Sequence, residues 1–130
     1  MIRRKRLTFW GADADDDSLP RSVMAGRKTV TADTVAEYHK GYGEYGDGGY
    51  EPGDVIEVYD LKRRLRCLIR ATKVYTVEFG RIPEEVWRGE GFASAGEFQE
   101  CHVRCLPNLE LHDNFEFVTL HFELLEIISA

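Results

Sequence analysis

The sequence predicts an α+β domain in which short helices surround a curved or barrel-closed sheet. Three observations carry that expectation. Long runs of alternating apolar and polar residues occupy the second half, and helical stretches with recognisable ends interrupt them. The whole chain is 130 residues without an internal repeat or linker, a length that suits a single domain spanning 1–130. The 43% hydrophobic and 31% charged residues are the proportions of a globular protein, which excludes a disordered or fibrous one.

In chain order, Leu7-Thr8-Phe9-Trp10 begins a short strand. Leu19 to Ala25 reads as a short helix, with Pro20 in its first turn, Gly26 just past its end, and the acids Asp13, Asp15, Asp16 and Asp17 on the side that favours negative charge. Arg27 to Thr31 has strand propensity. Gly41 to Gly53 holds six of the twelve glycines together with Tyr42, Tyr45 and Tyr50, too polar for a core element; it reads as a long loop, either a binding loop or plain disorder. Asp54 to Asp60 is a strand after the turn Glu51-Pro52-Gly53-Asp54. From Leu65 to Val77 apolar residues fall on odd positions, as in a half-buried strand or a bent pair, and Phe115 to Ile127 places Val118, Leu120, Phe122 and Leu124 on one face. Between these runs, Pro83 to Arg88 and Ser94 to Leu106 are helices. The second opens with a capping box (Ser94, Glu97) and carries Phe98, Cys101, His102, Cys105 and Leu106 as a core-facing stripe.

Charge narrows the function classes. With 23 acids against 17 bases the net charge is −6, the opposite of a domain built to clamp long nucleic acid. The bases are clustered: Arg3 to Arg6 open the chain and Lys62, Arg63, Arg64 and Arg66 form a second group, so a local basic groove stays open as a reading. No window is long and apolar enough for a membrane helix, and no apolar segment follows the basic start as in a secretory signal. The odd count of three cysteines suits reduced thiols in a cytoplasmic protein.

Two metal patterns fail. Asp13, Asp15 and Asp17 match the start of a calcium loop, but Ser18 stands where the turn needs glycine and Met24 where a bidentate glutamate belongs. Cys101, His102 and Cys105 lie on the apolar stripe and read as packing rather than a zinc site; His39, His112 and His121 are isolated. No cofactor is expected.

The stretch Gly26-Arg27-Lys28-Thr29-Val30-Thr31 is different. A lysine kept from water can act as a base, and such a base activates a threonine hydroxyl. In a regular strand residues three apart face opposite ways, so Lys28 and Thr31 meet only if the chain bulges or bends between them. The competing reading is a solvated basic strand start.

This stretch resembles the signature of the ASCH domain, a PUA-like β-barrel family associated with RNA: a glycine, a lysine two residues on and a threonine three beyond it. The order of the Gly53-Asp54 turn, the long strand after it, the Glu90-Gly91 pair and a following helix with His102 extends the resemblance over nearly the whole chain. Within that family the chain is similar to small bacterial acetylcytidine amidohydrolases. The resemblance implies Lys28, Thr31 and Glu90 as catalytic residues, with Thr31 attacking the acetyl carbonyl. Gly26, Arg27, Tyr50 and Arg66 are the expected substrate-binding residues, and the partner is a small nucleoside-like compound or a short RNA. The family commonly has arginine two residues after the threonine, where this chain has Asp33. The alternative function is an RNA-binding module, with or without weak ribonuclease activity, in which Arg27, Lys28 and the Arg63–Arg66 cluster meet phosphate and loop tyrosines stack on bases.

Overall fold

The computed structural model describes residues 4–40 and 49–130. The tyrosine- and glycine-rich segment from Gly41 to Gly48, with Tyr42 and Tyr45, lies outside the described residues. Five strands, β1 (Lys5–Thr8), β2 (Val30–Thr34), β3 (Val55–Tyr59), β4 (Leu65–Glu78) and β5 (Glu116–Ile127), form one sheet in the order β1-β3-β4-β5-β2. Only β1 and β3 run parallel; the other neighbours are antiparallel. The sheet curls into a half-barrel, with β1 and β2 at its edges. Register shifts between Leu68 and Ile69 and between Ala71 and Lys73 let β4 bend while staying paired with β5, so one bent strand takes the place of a bent pair.

The helices among the described residues are α1 (Ser18–Met24), α2 (Val35–Lys40), α3 (Glu84–Gly89) and α4 (Ala95–Cys105). Alternation along β5 feeds two cores. Leu120 and Phe122 join Leu7, Phe9, Val23, Tyr50, Ile56 and Ile69 in one, and Phe117 joins Val30, Phe79, Val86 and Phe98 in the other. The capping box of α4 forms as expected, Glu97 N–H donating to Ser94 Oγ at 3.1 Å. Its stripe is narrower than the sequence suggests. Phe98 is fully buried and His102 stacks on it at 4.0 Å, but Cys101 is half-buried and Cys105 is exposed. About three turns of a peripheral helix that touches the core near its start cannot bury every position of the stripe.

The acidic run before α1 has a different task from the one its position suggested. Asp17 makes no side-chain cap to α1; it pairs with Arg66 at 2.9 Å and Arg21 at 2.9 Å. Lys62 reaches Asp15 at 2.6 Å and Arg64 reaches Asp60 at 2.9 Å. The second basic group is thus largely matched by carboxylates folded against it.

Candidate active site

Two helix ends deliver the chemistry. At the end of α1, Gly26 takes φ +78° and its N–H donates to Val23 O at 3.0 Å, while Arg27 N–H and Lys28 N–H both donate to Ser22 O. This is the Schellman geometry, and it turns the chain sharply so that Lys28 enters the sheet. At the end of α3 the pattern recurs. Gly91 takes φ +93°, its N–H donates to Arg88 O at 2.9 Å, and Phe92 N–H donates to Trp87 O at 2.8 Å. Glu90 is the residue between the helix and that turn. Gly89 presses against β2: a Cβ there would lie 2.3 Å from Val30 Cγ2. Its carbonyl accepts the Thr29 N–H at 2.7 Å, which ties the end of α3 to the start of β2.

The spacing conflict between Lys28 and Thr31 resolves at Thr29. The regular strand begins only at Val30. Thr29 gives its N–H to Gly89 O on one side and accepts from Phe122 N–H on the other, whereas a regular antiparallel residue points both groups to the same side. The chain therefore twists before Val30, and the Lys28 side chain folds back along the strand. Its Nζ donates to Val30 O at 2.8 Å, lies 5.5 Å from the centre of the Phe9 ring and pairs with Glu90 Oε1 at 3.3 Å. The same Oε1 accepts the Ala32 N–H at 3.3 Å. Because β2 is an edge strand, these are main-chain groups that no neighbouring strand covers. Lysine caps the carbonyl before Thr31 and glutamate caps the N–H after it.

The pair is shielded from water: the Lys28 and Glu90 side chains are 5% and 7% exposed. Thr31 is also buried, on the β2 face whose partners across the ladder are Leu120 and Val118. Glu90 Oε2 is buried and lacks a hydrogen-bond partner among the described residues. An unmet carboxylate oxygen beside a buried amine is costly to the fold and available to a ligand.

Asp33 shares the Thr31 face, two residues on. Burial pushes its carboxyl up to about 6; the neighbouring acids Glu37 and Glu90 add to the rise, and the Thr34 N–H opposes it. The remaining expected residues sit elsewhere. Gly26 is the turn itself and Arg27 is exposed. Tyr50 is 1% exposed, a core residue whose hydroxyl donates to Arg6 O at 2.6 Å. Arg66 is buried in the pairs with Asp17 and Asp60, and its Nε donates to Ser129 O. These two hold the fold together rather than lining the Lys28–Glu90 pair. Surface depressions of about 500 and 450 Å³ lie on α4 around Gln99 and Val103 and beside Thr34, Leu109 and Phe115; neither includes Lys28, Thr31 or Glu90.

The ASCH domain family model matches residues 6–126, nearly the whole chain. The chain belongs to the ASCH domain family. Among solved structures, this ASCH domain is similar to protein EF3133 of Enterococcus faecalis V583, with a TM-score of 0.77 at 20% identity, covering 98% of this chain and 79% of that one. It is also similar to an ASCH domain from Lactobacillus crispatus JV V101, with a TM-score of 0.71 at 17% identity, covering 92% and 79%. A variant ASCH protein of Zymomonas mobilis follows at 0.62 and 8% identity, covering 98% and 76%. At these identities the likeness is one of fold, the PUA-like half-barrel. The search of curated proteins gives no match.

Proposed function

We propose that this ASCH domain hydrolyses the amide bond of a small acetylated compound of the acetylcytidine kind, with Thr31 as nucleophile. The observation that supports it most is the bracket around Thr31: Lys28 on the carbonyl before it, Glu90 on the N–H after it, and Glu90 Oε2 buried and unmet.

In this reading the proton of the Lys28–Glu90 pair moves to Glu90, which leaves a neutral amine. Lys28 takes the Thr31 hydroxyl proton as Oγ1 attacks the acetyl carbonyl, and the tetrahedral adduct forms. Glu90 gives its proton to the leaving nitrogen, the C–N bond breaks, and acetyl remains on Thr31 as an ester. The Lys28 ammonium returns its proton to Glu90. Lys28 then takes a proton from water as that water attacks the ester, and Thr31 Oγ1 leaves with a proton from Glu90. The amine is freed in the first half and acetate in the second. A positioned acid–base pair of this kind supplies about 10²–10⁴-fold of rate.

The close cover over the amine and carboxylate favours a nucleoside-sized substrate over a polymer. The RNA-binding alternative has less support: Lys62, Arg64 and Arg66 are engaged by Asp15, Asp60 and Asp17, and Tyr50 is in the core. Cytidine release from acetylcytidine tests the proposal. Turnover by the wild type that Lys28→Ala removes is the expected result; no turnover, or full turnover in Lys28→Ala, would defeat it.

A further inference from the structure

From the placement of Asp33 beside Glu90, we infer that the two carboxyl groups form a clamp for an amidine-like or amino group, and that the site refuses anionic ligands. The inference rests on the same site as the proposed hydrolase and names the class of compound it takes.

Ala32 is the hinge of the geometry. Glu90 Oε1 is fixed to its N–H, which sets the glutamate on the main chain midway between Thr31 and Asp33. Thr31 and Asp33 pair with Leu120 and Val118 across the ladder, so their side chains leave the strand on one face. Asp33 Oδ1 accepts only the N–H of Thr34, at 2.9 Å, among the described residues, and no lysine, arginine or histidine there pairs with it. The neighbouring charges that weigh on it, Glu37 and Glu90, are both negative. Glu90 contributes the second acceptor, Oε2, from a side chain that is 7% exposed and otherwise unmet.

Lys28 answers Glu90 through Oε1 alone; the unmet Oε2 and the half-buried Asp33, which has no cation among the described residues, favour a bound group that brings N–H donors or positive charge. A planar N–C–N edge offers parallel donors that suit such acceptors, whereas a cytosine-type base offers one donor, its exocyclic amine, beside a ring nitrogen that accepts and so suits a protonated carboxyl. A phosphate or carboxylate on the ligand meets repulsion from the same groups. An arginine at this position would reverse that preference, so Asp33 sets the sign of the site.

Titration calorimetry with benzamidine and with benzoate, two rings of like shape and opposite charge, reads the clamp without any need for turnover. Benzamidine is expected to bind the wild type and benzoate to leave no heat. Asp33→Asn is expected to weaken benzamidine at least tenfold, and Asp33→Arg to admit benzoate. Thermal melting of both variants checks that they fold, and Asp33→Ser is the substitute if either does not. Equal binding of the two probes, or unchanged benzamidine affinity in folded Asp33→Asn, would overturn the clamp. The outcome is separable from the hydrolase reading: a clamp that binds benzamidine in a protein without acetylcytidine turnover removes the hydrolase alone. Turnover with no benzamidine binding, and with Asp33→Asn unchanged in kcat/KM, removes the clamp alone.

Discussion

The Lys28–Glu90 pair predicts a specific pattern of stability. Lys28→Met leaves the Glu90 carboxylate 7% exposed with no cation, and Glu90→Gln leaves the Lys28 ammonium 5% exposed with no anion. Breaking one side of a buried pair costs about 3–5 kcal/mol, chiefly because the remaining charge stays desolvated. With about 2.1 cal/mol/K of unfolding entropy per residue, a domain of 130 residues loses about 4 °C per kcal/mol, so each single variant should melt about 11–18 °C lower. The amide of Glu90→Gln still accepts the Ala32 N–H, so its loss isolates the charge from the edge hydrogen bond. The double variant carries neither charge and should recover at least about 2 kcal/mol of the summed losses, a coupling in the range expected for contacting residues. Urea unfolding of the four proteins at pH 7.5 closes the cycle. Single losses below about 1 kcal/mol, or strict additivity, would mean that the two groups are not a desolvated pair and would refute the reasoning.

Other outcomes follow from the same structure. Gly89→Ala places a methyl 2.3 Å from the buried Val30 Cγ2, and the displaced α3 end should cost about 1–3 kcal/mol in urea unfolding and lower turnover by moving Glu90. Asp33 binds its proton more tightly folded than unfolded, so its ionised form weighs against folding above about pH 6 and is relieved as pH falls towards 3.8. Asp33→Asn should therefore melt higher than wild type at pH 8, with the gain shrinking below pH 6. His121 has the opposite sign: burial lowers its pKa, so the neutral ring contributes stability above pH 6.5 that is lost as pH falls, and melting of His121→Phe should show a weaker acid slope. Arg66→Gln should lower the melting temperature by removing the buried cation that Asp60 and Asp17 share, leaving them to Arg64 and Arg21 alone, and leave KM where it is.

The strands were legible because each half-buried run alternates: Ile56 and Val58 inward in β3, Leu120 and Phe122 in β5. Helix α2 was not, since it follows β2 with no glycine or proline between them. Its one signal was Thr34 with Glu37 three residues on, and the Glu37 N–H does donate to Thr34 Oγ1 at 3.2 Å. The need for a bend between Lys28 and Thr31 followed from strand periodicity alone. Where the bend falls did not, because it depends on Gly89, 60 residues further along the chain, accepting the Thr29 N–H. Gly89 could have been found as the first glycine of Gly89-Glu90-Gly91, a pair of permissive residues flanking one carboxylate. Arg66 and Tyr50 misled for a common reason. Residue type marks a side chain as able to bind a ligand, but only the tertiary fold decides whether a partner such as Asp60 or the Arg6 carbonyl has already taken it.

Turnover of acetylcytidine by Thr31→Ala and Thr31→Ser, set beside the wild type, tests the bracketed threonine most directly. The serine variant, which keeps the hydroxyl, should retain cytidine release, and the alanine variant should lose it by at least about a hundredfold. Cytidine release by folded Thr31→Ala at the wild-type rate would contradict Thr31 as the nucleophile.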